Sequence, residues 1–291
     1  MTRPRNIFLW VGLTLYGLLL FLFLSLSRLP VDGILGKIFT LVTGTQAQVS
    51  AETVSFSLPL SYALEKVTWE IHWPQGVSKD HADSLVLGPE WSRIFSGSLP
   101  LRGAASFARG RMDARLGVPF LRRGYMEAKV FGIHLEDLSF LEILLDRRVS
   151  GKGEGELRLM GDFRSPPNMN GRGFVRATEG SVETKLPLAG LSLIPFSSLS
   201  ATLVIQKGVL FLSDGIIEGP ALSGSFSGEV KLGKPLGKSL VKITAHLTPM
   251  PMLNENDFAR EWLTILGDEG NPITIHLGGP LEGPSIRWEK D

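Results

Sequence analysis

Residues 222–232 read LSGSFSGEVKL. Leu222, Gly224, Phe226, Gly228, Val230 and Leu232 take every second place, and Ser223, Ser225, Ser227, Glu229 and Lys231 fall between them. Successive side chains on a strand point to opposite faces, so this stretch is a strand with one dry and one wet face. The same period recurs along the chain. It is found at Val54, Phe56, Leu58 and Leu60, and at Val67, Trp69, Ile71 and Trp73. It returns at Leu157, Leu159 and Phe163, at Val241, Ile243, Ala245 and Leu247, and at Ile273, Ile275 and Leu277. Breaks at Lys207-Gly208, Asp214-Gly215 and Gly219-Pro220 separate the runs, which predicts mostly antiparallel hairpins.

Only two segments carry helical spacing. His134–Arg148 places Leu135, Leu138, Leu141 and Leu145 on one face and ends in Arg147-Arg148, as a helix C-terminus would. Asn256–Leu266 does so with Phe258, Trp262 and Leu266, with Asn256 as its N-cap. Two short helices cannot cover the dry faces of some ten strands. The expectation is a mainly β protein whose antiparallel sheet forms a sandwich, a barrel or a curved U-shaped trough. Gly161-Asp-Phe-Arg-Ser-Pro166 and Gly279-Pro-Leu-Glu-Gly-Pro284 echo one another after strand-like runs, a hint of a strand-ending turn used twice.

The 291 residues include 43% apolar and 20% charged side chains, which excludes a disordered chain, and 33 Gly with 18 Pro suit strands and turns. Lys plus Arg total 30 against 29 acids, so the basic excess of a nucleic-acid binder is missing. There is no cysteine, which removes disulfides, Cys-ligated zinc, iron–sulfur clusters and a Cys nucleophile.

Ile7–Leu26, IFLWVGLTLYGLLLFLFLSL, holds no charge. At about 1.5 Å per residue it reaches about 30 Å, the thickness of a bilayer core. Trp10 sits where an interfacial aromatic belt lies, and the span is longer than a signal-peptide core, with a poor cleavage site at Ser25–Pro30. The reading is an uncleaved single-pass anchor running from Ile7 to Leu26. Arg3 and Arg5 put the N-terminus in the cytoplasm. The chain then divides into a tail (1–6), a transmembrane helix (7–26), a linker (27–45) and an exported β domain (46–291), periplasmic if the cell has two membranes.

A search for chemistry finds little. His72, His81, His134, His246 and His276 form no metal-ligand pair, and no G-x-S-x-G elbow occurs. Gly228–Lys234 fits G-x-x-x-x-G-K, but Pro235 follows and 240–247 alternates as a strand, so the helix that a phosphate loop needs is missing. The expectation is a non-enzyme with no cofactor, no metal and no nucleic-acid partner. Two features remain. Arg102, Arg109, Arg111, Arg115, Arg122, Arg123 and Lys129 outnumber Asp113 and Glu127. That is either the solvated face of strands or a contact for anionic headgroups or an acidic partner, with Arg109, Arg111, Arg122 and Arg123 as its candidates. Leu188–Leu212 is apolar on both faces, as central strands or a lipid-lining wall would be; Leu203 and Phe226 are the candidate lining residues.

The chain as a whole resembles the type II secretion system protein N family, in its longer single-pass form. The resemblance is carried by the tail and anchor at Thr2–Leu26, by LPLSYALEKVTW at 58–69, and by LEDLSFLEILL at 135–145 before GKGEG at 151–155. It continues in KGVLFL at 207–212, IEGP at 217–220 and SGSFSGEV at 223–230, which also resemble the repeats of AsmA-like β-proteins. The resemblance implies an inner-membrane protein of a Gram-negative bacterium, an accessory of the type II apparatus. It would act through protein contacts of its periplasmic domain with the inner-membrane platform or secretin. The AsmA-like character implies the alternative, a trough that binds or transfers membrane lipid. The family supplies no catalytic or ligand residues.

Overall fold

The computed structural model describes residues 16–17, 21, 33, 35–37, 40, 46–57, 60–73, 76–90, 98–119, 124–161, 168–188, 191–233, 238–254, 273–281 and 283–290. The anchor expected at 7–26, the second helix expected at 256–266, and Arg122 and Arg123 lie outside them, apart from Tyr16, Gly17 and Phe21. Among the described residues no helix is long and apolar enough to cross a membrane.

Fourteen strands follow one another in chain order: β1 (Ala47–Ser57), β2 (Ser61–Trp73), β3 (Gly76–Pro89), β4 (Ser98–Phe107), β5 (Gly110–Pro119), β6 (Gly124–His134) and β7 (Val149–Gly161). They continue as β8 (Met169–Leu188), β9 (Leu191–Gln206), β10 (Val209–Glu218), β11 (Leu222–Lys231), β12 (Leu240–Pro249), β13 (Ile273–Pro280) and β14 (Ser285–Lys290). Each pairs antiparallel with the next, in one sheet of order β1 to β14. No pairing joins β1 to β14 among the described residues, so the sheet is open rather than the barrel that the sequence left as an option.

Strand-to-strand turns follow the local sequence. Lys207 and Gly208 have φ of 50° and 78°, a tight hairpin between β9 and β10. Asp214 (φ 50°) does not end a strand, as Asp214-Gly215 leads one to expect; it is a bulge inside β10, where the register shifts between Leu212 and Gly215. Gly161 and Gly279, the two echoed glycines, have φ of 137° and 112° at the ends of β7 and β13. Only glycine holds that backbone without strain.

In a strict meander, odd strands begin and even strands finish at one end, here the first end. The two α-helices with described bounds lie there. The region expected to be one helix at 134–148 divides into a 3-10 turn (Leu135–Asp137) and α1 (Ser139–Leu145), with extended Leu138 (φ −99°, ψ 91°) between them. Asp146 in the left-handed region (φ 53°) ends α1, so Arg147 and Arg148 lie beyond the helix they were expected to finish. The β3–β4 ladder stops at Ala82 and Phe107, whereas β2–β3 runs on to Trp73 and Gly76. α1 fills that notch, with Phe140 and Ile143 packed on Ala47, Ile71 and Trp73. Asp80, 4% exposed, accepts the Ser139 N–H at 2.6 Å, and Ser139 Oγ accepts the Lys79 N–H at 3.0 Å. The carboxylate of a neighbouring strand thus caps the helix. α2 (Pro251–Asn254) follows β12 and seats Leu253 against Ala221, Leu222, Leu247 and Ile273. A third cluster, Leu35, Leu64, Val67 and Ala82, covers β1–β3. All these buried clusters lie on one face, toward the first end or over the first three strands.

Candidate functional site: an apolar face across ten strands

Paired residues in an antiparallel ladder share a face, so the registers can be followed from strand to strand. One cross-strand row runs Gly103, Ala114, Ala128, Leu157, Gly173, Leu203, Leu212, Gly228, Ile243, Leu277. The next runs Leu101, Leu116, Met126, Leu159, Gly171, Ile205, Leu210, Val230, Val241, Gly279. Both rows cross β4 to β13 without a polar side chain. At about 4.8 Å per strand they span about 43 Å, with about 7 Å between rows. Leu159, Ile205 and Val241 are buried; Leu101, Leu116, Met126, Leu157, Leu203, Leu210, Leu212, Val230, Ile243 and Leu277 are half-buried. No buried cluster sits over the middle strands, among the described residues. The surface is continuous with the clusters that the two helices cover at the first end, and partly open away from them.

Glycines in the rows have a steric reason. A Cβ on Gly173 would overlap the Glu156 carbonyl oxygen, and one on Gly228 the Lys242 carbonyl oxygen. The strands coil closely enough on this face that backbone takes the place of a side chain. Phe226, one row toward the first end, lies over Gly215, whose Cβ would come 2.6 Å from the Phe226 ring.

The opposite face has another chemistry. The row beside the two apolar ones reads Arg102, Arg115, Glu127, Arg158, Arg172, Val204, Phe211, Glu229, Lys242. Arg115 lies 3.7 Å from Glu127 and 3.9 Å from Glu90, and Arg158 lies 3.4 Å from Glu127 and 2.6 Å from Glu156. Lys129 hydrogen-bonds Glu156 and, with Arg158, holds that carboxyl below the usual carboxylate range. Acids from neighbouring strands thus balance most of the basic run. Exposed Phe131, Met160, Phe174 and Phe211 punctuate this face.

Arg109 and Arg111 are committed internally. Arg109, at the β4–β5 tip, donates to Asp137 at 2.6 and 3.0 Å and to Glu136 at 2.7 Å, and the Asp137 bond raises its pKa. Arg111 pairs with Asp113 on its own strand at 2.9 Å. Glu136 is the hub of this clamp. Partial burial raises its pKa, but bonds from its own amide, His134 and the Gly151 N–H outweigh that and lower it to about 2. Of the lining candidates, Leu203 and Phe226 share the apolar face, two strands apart. Ile7, Trp10, Leu26, Arg122 and Arg123 fall outside the described residues. Sequence reading missed Met112, Leu116 and Met126. For β5 the signal was present: Met112, Ala114 and Leu116 alternate with Arg111, Asp113 and Arg115 in the segment read only for charge.

His246 and His276 each meet a threonine across β12–β13, Thr274 at 2.8 Å and Thr244 at 3.1 Å, on the polar face. Among the described residues no group of three His, Asp or Glu side chains is arranged to hold a metal. Compared with known protein families, curated proteins and solved structures, the chain matches none.

Proposed function

We propose that this chain is a membrane-tethered β-sheet protein that binds the acyl chains of membrane lipids along its apolar face, in the manner of AsmA-like lipid-handling modules. The observation that carries this reading is the pair of ten-strand rows without a polar side chain, half-covered in a single chain. A soluble surface rarely leaves a contiguous apolar strip of that length, and such strips mark ligand or membrane contact. The absence of any charged group on the strip fits hydrocarbon rather than a headgroup. With the Ile7–Leu26 anchor in the inner membrane, the first end, where the chain enters β1, is the membrane-proximal end and the domain is periplasmic.

The test is native mass spectrometry with lipid extraction on the full chain, after exchange into a lipid-free detergent. Phospholipid should remain with the wild type and be lost from Leu203→Glu and Phe226→Glu while the far-ultraviolet β signal persists. A wild type that carries no lipid overturns the reading. A second reading is favoured by the exposed Phe131, Met160, Phe174 and Phe211 on the polar face. It is an accessory role in the type II secretion apparatus through protein contacts, as the sequence resemblance implies. Phe174→Ser with Phe211→Ser should then release secretion components that co-purify with the wild type; unchanged co-purification removes that surface from the reading.

A further inference from the structure

The two ends of the strands differ in charge and in cover. At the first end, Glu136, Asp137, Glu142, Asp146, Glu183 and Glu218 outnumber Arg109, Arg147 and Arg148 among the described residues. There α1 and α2 also seat the buried clusters. The second end, where odd strands finish and even strands begin, carries cations instead. Lys207 occupies the β9–β10 turn, Lys231 is the last residue of β11, and Lys238 lies just ahead of β12. All three are exposed, and no ion pair joins them to an acid among the described residues. Lys231 faces Val209 on one side and Leu240 on the other, and a Cβ on Gly233 would come 3.0 Å from the Lys238 carbonyl. The lysines thus gather over the adjacent ends of β9 to β12. Asn170 and Gln206 continue the same cross-strand row with amide donors. Glu229, the acid of β11, stands opposite Lys242. Leu240, 53% exposed, sits among the lysines.

We infer that Lys207, Lys231 and Lys238 hold the phosphate headgroups of lipids whose acyl chains lie on the apolar face, with a preference for net-negative headgroups. The inference rests on the acyl-chain reading above and adds the orientation and charge of the lipid. The apolar strip has no charged side chain, so a headgroup that stays hydrated must leave it at one end of the strands. At the first end the helices cover the face and the acids repel a phosphate. At the second end, Val230 and Val241 of the second apolar row are each one residue from the end of their strand, beside Lys231 and Leu240. A lysine lays its apolar stem along such a margin and carries its ammonium out to a phosphate. Bound lipids therefore point their tails toward the first end and their headgroups out at the second.

The test offers the full chain, in lipid-free detergent, equal amounts of phosphatidylglycerol and phosphatidylcholine with matched acyl chains. Native mass spectrometry and extraction count what is retained. At low salt the wild type should keep phosphatidylglycerol over phosphatidylcholine by about fivefold or more. Lys207→Glu with Lys231→Glu and Lys238→Glu should bring that ratio to one or below, while total lipid and the far-ultraviolet β signal persist. The same three lysines changed to Gln should bring it toward one with a smaller change of charge. Inorganic phosphate alone, followed by calorimetry in lipid-free detergent, should show no saturable binding. Equal retention of the two lipids by the wild type, or a preference that both variants keep, overturns the inference and leaves the acyl-chain reading standing. Saturable binding of phosphate alone makes the lysines a free-phosphate site and overturns it too. A wild type that carries neither lipid overturns both the inference and the reading.

Discussion

Replacing Leu253 by alanine should cost far more stability than replacing Leu203, although both are leucines on the same face. α2 has four residues, and so short a helix has no stability of its own. It is held by Leu253, 1% exposed, against Ala221, Leu222, Leu247 and Ile273. The atoms lost are worth about 2.4 kcal/mol of transfer at about 0.8 kcal/mol per methylene. The cavity left in a packed cluster brings the expected cost to about 3–4 kcal/mol. Leu203 is half-buried, between Gly173 on one side and Leu212 on the other. Open space on its exposed side means little cavity is created, and about half the transfer energy is at stake, or about 1–1.5 kcal/mol. Urea unfolding of the full chain in detergent, followed by tryptophan fluorescence and far-ultraviolet circular dichroism, reads both. Equal costs would show the middle of the sheet covered as completely as its ends, refuting the open apolar face and the lipid reading with it.

Three further outcomes follow from the fold. Asp80→Ala should cost about 1–3 kcal/mol by orphaning the Ser139 N–H, with amide exchange accelerated in α1 before the rest of the sheet. Glu136 titrates near 2 in the fold against 4.5 unperturbed. Its contribution is therefore fully present above pH 4.5 and lost as pH falls toward 2. Its side chain is 39% exposed, and solvent screening discounts the shift to about 1 kcal/mol. Glu136→Gln should thus be less stable than wild type at pH 7, with the gap closing by pH 2.5; a gap unchanged with pH refutes the clamp. Gly173→Val should abolish the folded β signal or shift the urea midpoint by several tenths molar, since its Cβ meets backbone that cannot move aside.

The strands were legible because each carries its own alternation. β11 and β12 could be drawn from LSGSFSGEVK and LVKITAHLTP alone, and the hairpin at Lys207-Gly208 from its turn residues. The misreadings have one cause. Asp214-Gly215 looks like a turn, but a left-handed residue in a strand also makes a bulge, and only the ladders on both sides decide between them. Leu135–Leu145 has helical spacing, but Arg109 from another hairpin holds Glu136 and Asp137, and buried Leu138 is extended between the turn and α1. The arginine run was read for its charge because Glu90, Glu136 and Glu156, the partners of Arg115, Arg109 and Lys129, lie outside it in sequence.

By itself, then, the sequence determined that the part beyond residue 45 is mostly antiparallel β structure with one dry face, since period-two alternation and turn residues act over a few positions. It also set out the apolar span at 7–26, whose length and lack of charge need no fold to be seen. Which dry faces join, and whether anything covers them, depended on register between strands and on two short helices docked at one end. Those are contacts between residues tens of positions apart. Only the tertiary structure aligned Leu203 and Phe226 on one strip and set the arginines on the other face.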